Sequence, residues 1–303
     1  MLTPCVYAAL VALGMAMRAV HIFDENAPAI LSRIMLNLTL PAAVISTFAG
    51  FDGDASLYFL ILIGFGCSVV PFLAAWLCTR RMRTEMRAYS MLNVCGYNIG
   101  CFSLPIVQGA AGSVGAAAVC LFDIGNALVM TGGSYAGTTA LLRLQGDGKN
   151  PVAAGAQRLL RSVPFDTYVV MLVLLLSGIA VPAKVADVLA PLAGSNGFLA
   201  MLTAGLMFSP SDFRRYFRSA IVIVAIRFAM GCVLAACAWF FLPYSETVRF
   251  SLMLAAFAPV SALAPVYSEK CSAEGARSGL TLSFSVAAAL VCMLALTAWR
   301  LYF

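Results

Sequence analysis

The sequence predicts an all-α membrane protein of ten transmembrane helices, arranged as a 5+5 inverted repeat in which two helices are broken at their middles. Three observations lead to this fold class. First, the 303 residues are 62% hydrophobic and only 11% charged, with a mean hydropathy of +0.94. Soluble domains average about 25% charged residues. Second, two membrane-length apolar stretches contain loop residues at 93–105 (N-V-C-G-Y-N-I-G-C-F-S-L-P) and 258–265 (A-P-V-S-A-L-A-P). Irregular backbone at membrane depth is tolerated only where it is buried in protein or lines a cavity. Interruptions at corresponding places in two halves point to a transporter's binding site. Third, the basic residues favour every second connection between apolar segments.

A hydrocarbon core of ~30 Å needs about 20 apolar residues per helix. That rule gives spans at 3–20, 27–50, 55–79, 87–111, 113–141, 165–182, 188–208, 217–242, 247–270 and 277–302. The first has no basic region before it and no A-x-A-like cleavage site after it, so it reads as a span and not as a signal peptide. Connections after odd-numbered spans carry Arg18, Arg33, Arg80, Arg81, Arg83, Arg87, Arg143, Lys149, Arg158, Arg161, Arg214, Arg215, Arg218, Lys270 and Arg277, which is 15 of the 19 basic residues. Lys184, Arg249 and Arg300 fall on the other side. Positive residues stay cytoplasmic. The expected protein therefore lies in the cell (cytoplasmic or inner) membrane with both termini on the non-cytoplasmic side. The same topology accounts for the net charge of +6 without any nucleic-acid partner.

The longest polar connection, about 142–163, divides the chain into a first five-helix repeat at 1–141 and a second at 164–303. A shift of 160 residues lays Pro105 on Pro265, and a shift of 162 lays L-F-D-I-G-N-A-L-V (121–129) on S-F-S-V-A-A-A-L-V (283–291). With an odd number of spans per half, the repeats have opposite orientation. The fourth and ninth spans, the broken ones, then face each other near the midplane.

Four motifs resemble the auxin efflux carrier family, which includes plant PIN carriers and bacterial malate-permease-like transporters. They are L-S-R-I-M-L-N-L-T-L-P (31–41), N-I-G-C-F-S-L-P (98–105), F-D-I-G-N (122–126) and A-P-V-S-A-L-A-P-V-Y-S-E-K (258–270). The resemblance implies a NhaA-like fold with two crossing broken helices, a scaffold of spans 1, 2, 6 and 7, and a mobile transport domain of spans 3–5 and 8–10. It also implies organic-anion transport and a homodimer. Tyr97 stands where PIN carriers place a Pro, Ala258 and Val260 supply no amide, and the long PIN cytosolic loop is missing. These departures argue against auxin as the substrate.

The candidate substrate-binding residues are Asn98, Gly100, Ser103, Asn126, Asn37, Pro259 and Ser261, with Gly96, Pro105 and Pro265 as helix breakers. A helix N-terminus at a break resembles about half a positive charge, so a carboxylate can be held there by N–H groups alone. Alternatively, the breaks are proline kinks repaired by neighbouring Ser and Thr. Asn98 can satisfy loose backbone, ligand or both, whereas Asn93 fits a structural role. Ser103 and Ser261 serve either ligand or freed carbonyls. Asn37, Thr39 and Pro41 either face the transport domain or make a scaffold kink. Gly109, Gly112, Gly115, Gly132 and Gly133 fit close helix approach.

Asp123 is the one acidic residue, of 13, expected deep in a span. It lies roughly 15 Å from Ser113 along the helix, near the centre of the core. It is a proton or Na+ site, the partner of a cation, or a hydrogen-bond partner of Asn126 or a Ser. Arg227 is the matching lone base, roughly 13 Å beyond Arg218. It binds substrate, pairs with Asp123 or snorkels to the surface.

Enzymatic chemistry finds no support. His21 is the only histidine, and no H-E-x-x-H, G-x-S-x-G, P-loop or G-x-G-x-x-G is present. The ten cysteines form no C-x-x-C pair and read as small hydrophobes. The expectation is a secondary transporter moving a mono- or dicarboxylate by elevator-like alternating access, without cofactor or metal but with Na+ or H+ as possible coupling ion. The alternatives are a cation-coupled symporter of the bile-acid or arsenite type and a ligand sensor that binds without turnover.

Overall fold

The computed structural model describes residues 2–24, 26–49, 51, 55–144, 151–207, 213–271 and 273–302. Within the expected connecting loop, residues 145–150, including Lys149, lie outside this set, as do the expected ends of the second and seventh spans at 50 and 208. All regular structure among the described residues is helical. Six segments are long and apolar enough to cross a membrane: Ala27–Phe48, Ala55–Cys78, Ile99–Leu142, Ala183–Leu206, Phe213–Phe241 and Gly275–Arg300.

In chain order the helices are α1 (Leu2–Ala19), α2 (Ala27–Ile34), α3 (Leu40–Phe48), α4 (Phe59–Cys78), α5 (Thr84–Val94), α6 (Leu104–Leu128), α7 (Ser134–Leu142), α8 (Pro151–Leu159), α9 (Val163–Leu176), α10 (Ala183–Leu206), α11 (Phe213–Phe241), α12 (Glu246–Ala256), α13 (Ala264–Lys270) and α14 (Gly275–Tyr302). Polarity is distributed as a bilayer demands. Phe240, Phe241 and Val188 are exposed, while Asn93, Asp123, Asn126, Asn196 and Arg227 are buried. Where the surroundings are hydrocarbon, polar side chains find partners only inside the bundle.

Two helices are interrupted. After α5, residues 95–98 leave helical geometry, with Gly96 at φ +66°, where a side chain would be strained. After α12, residues 257–263 do the same before α13. The first gap is narrower than the expected 93–105. Pro105 lies beyond it, in the first turn of α6, and Pro265 likewise lies in the first turn of α13. At Pro265, which follows non-helical residues, proline suits that position because the first-turn N–H groups have no helical partner to lose. The gaps touch, since the Asn98 N–H donates to the Pro259 carbonyl at 3.0 Å.

Three wide π-turns interrupt the regular helices: Met35–Thr39, Ile99–Ser103, which follows directly on the first gap, and Val129–Gly133. In the second, the amides of Ser103 and Leu104 reach back five residues to Asn98 and Ile99. Pro105 comes next and has no N–H, so the Gly100 carbonyl is left over. The Asn196 amide of α10 donates to it at 3.3 Å.

Glycines set the close helix contacts. A Cβ on Gly205 of α10 would sit 2.9 Å from Gly14 Cα of α1, and one on Gly125 of α6 would sit 2.6 Å from the Phe65 amide of α4. Gly112 has a different role from the packing expected of it. Its φ of 69° and ψ of −163° interrupt the run from Ile99 to Leu142. The connection expected as a loop contains α8, which packs on α7 and on the turn Val129–Gly133 and meets α9 at a 72° bend.

Candidate functional site

A cavity of about 550 Å³ lies over the touching gaps. Its floor is formed by Tyr97 and Asn98 from the first gap, Ile99 and Gly100 from the turn that follows it, and Ser261, Ala262 and Leu263 from the second gap. Asn37 and Leu40 form one wall, and Asp123, Asn126 and Tyr168 another. The mouth carries Arg33, Arg158 and Arg161. The cavity therefore opens on the side where the sequence concentrates its positive charge.

Arg227 holds the gaps together from beneath. Its Nη1 donates to the carbonyls of Val94 (2.8 Å), Cys95 (3.3 Å) and Asn93 (3.5 Å), at the end of α5. Its Nη2 donates to those of Ala258 (3.0 Å) and Pro259 (3.3 Å), just past α12. The guanidinium also lies 5.1 Å from the Tyr97 ring. Two helix C-termini, each with the negative end of its dipole and unpaired carbonyls, converge on one planar cation with five donors. Of the three expected roles, neither pairing with Asp123 nor snorkelling, for which Arg227 is too buried, is seen, and Arg227 does not line the cavity.

Asp123 and Asn126, one turn apart on α6, form the second polar node. Asp123 Oδ2 accepts from the Tyr168 hydroxyl at 2.6 Å, and Oδ1 accepts from Asn126 Nδ2 at 2.7 Å. The Gly100 backbone supplies a further hydrogen bond. Asn126 also donates to the Tyr97 carbonyl (2.8 Å), and its Oδ1 accepts from the Tyr97 amide (2.9 Å) and the Ser68 hydroxyl (2.9 Å). Its two donors and two lone pairs are all engaged. Asn126 thus acts as a stand-in strand for the gap backbone while also lining the cavity. Asp123 has donors around it but no basic side chain paired with it among the described residues, and one face borders the cavity.

The other candidates divide clearly. Asn98, Gly100, Ser261 and Asn37 line the cavity. Ser261 Oγ accepts from the Leu263 amide at 3.2 Å, which still leaves its own proton to donate, and Asn37 donates to the Arg33 carbonyl at 2.7 Å. Ser103 is fully buried away from the cavity, and Pro259 contributes only its carbonyl to the crossing. Gly96 abuts the Met130 side chain. Asn93 is buried between Ser268 (3.3 Å) and Ser278 (2.6 Å), a helix-bridging amide remote from the cavity. Thr39 donates to Asn196 Oδ1 at 3.0 Å.

Sequence reasoning missed Tyr168, Asn196 and the three mouth arginines as site residues. Asn196 had a signal: an amide inside the apolar run 188–208. Tyr168 had none, because its partner Asp123 is 45 residues away. Arg158 lies 3.7 Å above the Tyr135 ring and 5.4 Å from that of Tyr267, and Tyr267 donates to the Thr131 carbonyl at 2.5 Å. The basic residues of α8 and of its junction with α9 are therefore part of the cavity entrance.

A search against protein-family models finds no match to this chain, and a search of the curated proteins finds none either.

Proposed function

We propose that the chain is a secondary transporter of small organic anions, of the auxin efflux carrier type, working by elevator-like alternating access. The observation that carries this reading is the cavity whose floor is two touching helix gaps and whose mouth holds Arg33, Arg158 and Arg161. The arginines raise the local concentration of an anion. At the floor, the start of the turn Ile99–Ser103 offers a helix N-terminus to a carboxylate, with the Gly100 backbone already bonded to Asp123 and the Asn98 side chain beside it.

Ten membrane crossings fit the helices if Ile99–Leu142 is divided at Gly112. Its 44 residues would otherwise extend ~66 Å, about twice the hydrocarbon thickness. The inverted repeat draws support from the hydrogen bonds of the two gaps. Asn126 accepts from the Tyr97 amide in the first half. In the second, Ser285 accepts from the Val260 amide at 3.0 Å, and Ser285 is the residue that the 162-residue shift pairs with Asp123. The close pairing of α1 with α10 and of α4 with α6 suits a scaffold and a separately moving body.

Asp123 gives the transporter its coupling. An ionised Asp123 repels a substrate carboxylate in the same cavity, so a proton or Na+ at Asp123 favours loading. The tests are counterflow and ion-gradient-driven uptake in proteoliposomes with labelled mono- and dicarboxylates. The expected result is label accumulation driven by an inward H+ or Na+ gradient, with gradient dependence lost in Asp123→Asn. Binding without accumulation would instead make the protein a sensor.

A further inference from the structure

A second depression, of about 610 Å³, shares no residue with the central cavity and lies between α11 and the hairpin of α4 and α5. Its long walls are apolar, formed by Ala75 and Val94 on one side and Val222, Ile223, Ile226 and Met230 on the other. One end is basic, with Arg215, Arg218 and Arg277. Glu274 pairs with Arg215 at 2.8 Å and with Arg277 at 2.7 Å, so two of the three guanidiniums share one carboxylate. Arg218 is exposed, and no carboxylate pairs with it among the described residues. Arg277 is held in place 5.5 Å from the Tyr89 ring and 5.1 Å from that of Tyr216.

The dimensions identify the occupant. From Arg215 to Met230 a helix rises ~22 Å, which matches half of a bilayer ~40–45 Å thick with its headgroups. The groove thus runs from headgroup level to the midplane, with the positive end at the interface and the apolar slot at acyl-chain depth. A soluble anion would have no use for the slot, and a neutral lipid none for the excess positive charge.

We propose that this groove seats one anionic phospholipid, its phosphate between Arg215 and Arg218 and an acyl chain along Val222, Ile226 and Met230. The site is independent of the transport reading, because it shares no residue with the central cavity.

Native mass spectrometry of the full-length protein tests this, comparing phosphatidylglycerol with phosphatidylcholine of the same chains. The expected result is one phosphatidylglycerol retained at roughly tenfold lower concentration than phosphatidylcholine. Arg218→Gln reduces that preference about fivefold, and Arg215→Gln with Arg218→Gln abolishes it. Ile226→Trp, on an exposed helix face, fills the slot while keeping every arginine, and also releases the lipid. Equal retention of the two lipids overturns the proposal. So does undiminished retention by Ile226→Trp, which would mean surface attraction only, or displacement by glycerol phosphate, which would mean a small-anion site. Melting temperatures of the variants confirm that each is folded, and the exposed Arg218→Gln is the least disruptive of them.

Discussion

Arg227 concentrates more of the architecture in one side chain than any other residue. Five backbone carbonyls, from the end of α5 and from the two gaps, accept from it, and an ammonium on a flexible stem cannot reproduce that planar fork. Arg227→Ala is expected to cost about 3–5 kcal/mol by leaving buried carbonyls unpaired. Arg227→Lys is expected to recover only part of that. Thermal unfolding in detergent measures both, and wild-type stability in Arg227→Lys would contradict the capping role. Because Arg227 and Asp123 occupy separate networks, Asp123→Asn and Arg227→Gln are expected to show no mutual rescue in transport, and restoration in the double mutant would speak for a direct pair. Asp123 and Asn98 were legible in the sequence because a polar letter in an apolar run is costly and conspicuous. The task of Arg227 was not, since its partners are main-chain carbonyls that no letter of the sequence records. Tyr168 stayed hidden for a related reason: a tyrosine near the start of an apolar segment looks like a membrane-interface anchor.

At the scale of elements, the decisive features are the gaps, the π-turns and the glycine contacts. Gly125 lies against the backbone of α4 at Ile61 and Phe65, with no flexible side chain to yield. Gly125→Val is expected to destabilise by about 3 kcal/mol by prising α6 from α4. Gly66, with nothing within 4 Å of an added Cβ, serves as the control, since Gly66→Ala is expected to leave the protein intact. Comparison of monodisperse yield and melting temperature for the two variants checks this. The existence of two interruptions was readable from Asn, Gly and Pro in apolar stretches, but their limits were not. Pro105 and Pro265 mark where a helix resumes, not where it stops. α8 went unread because its surroundings, Q-G-D-G-K-N-P before it and polar residues within it, have loop composition. Its packing depends on Gly155 meeting Gly132, a contact between residues that periodicity cannot relate.

For the whole molecule, the cavity and its arginine mouth define an access side. Asn37 is exposed and lines the cavity. Asn37→Cys, in a background lacking the native cysteines, is therefore expected to react with a membrane-impermeant maleimide only from the side bearing Arg33 and Arg158. A transported anion should protect it. Reaction solely from the opposite side would reverse the orientation derived from the charge pattern. That pattern was legible because it is a bulk property of connections. The arginines' second use at the entrance needs three-dimensional proximity.

The 72° corner between α8 and α9 has a mechanical consequence. On one side of it α8 is fastened to the turn Val129–Gly133, and on the other α9 lies along α3. If one body slides past the other as proposed, the chain bends at residues 160–162 and the hydrogen bond from Tyr168 of α9 to Asp123 of α6 must also give way. On the transport reading proposed above, stiffening those residues would slow the stroke while leaving the grip on cargo unchanged.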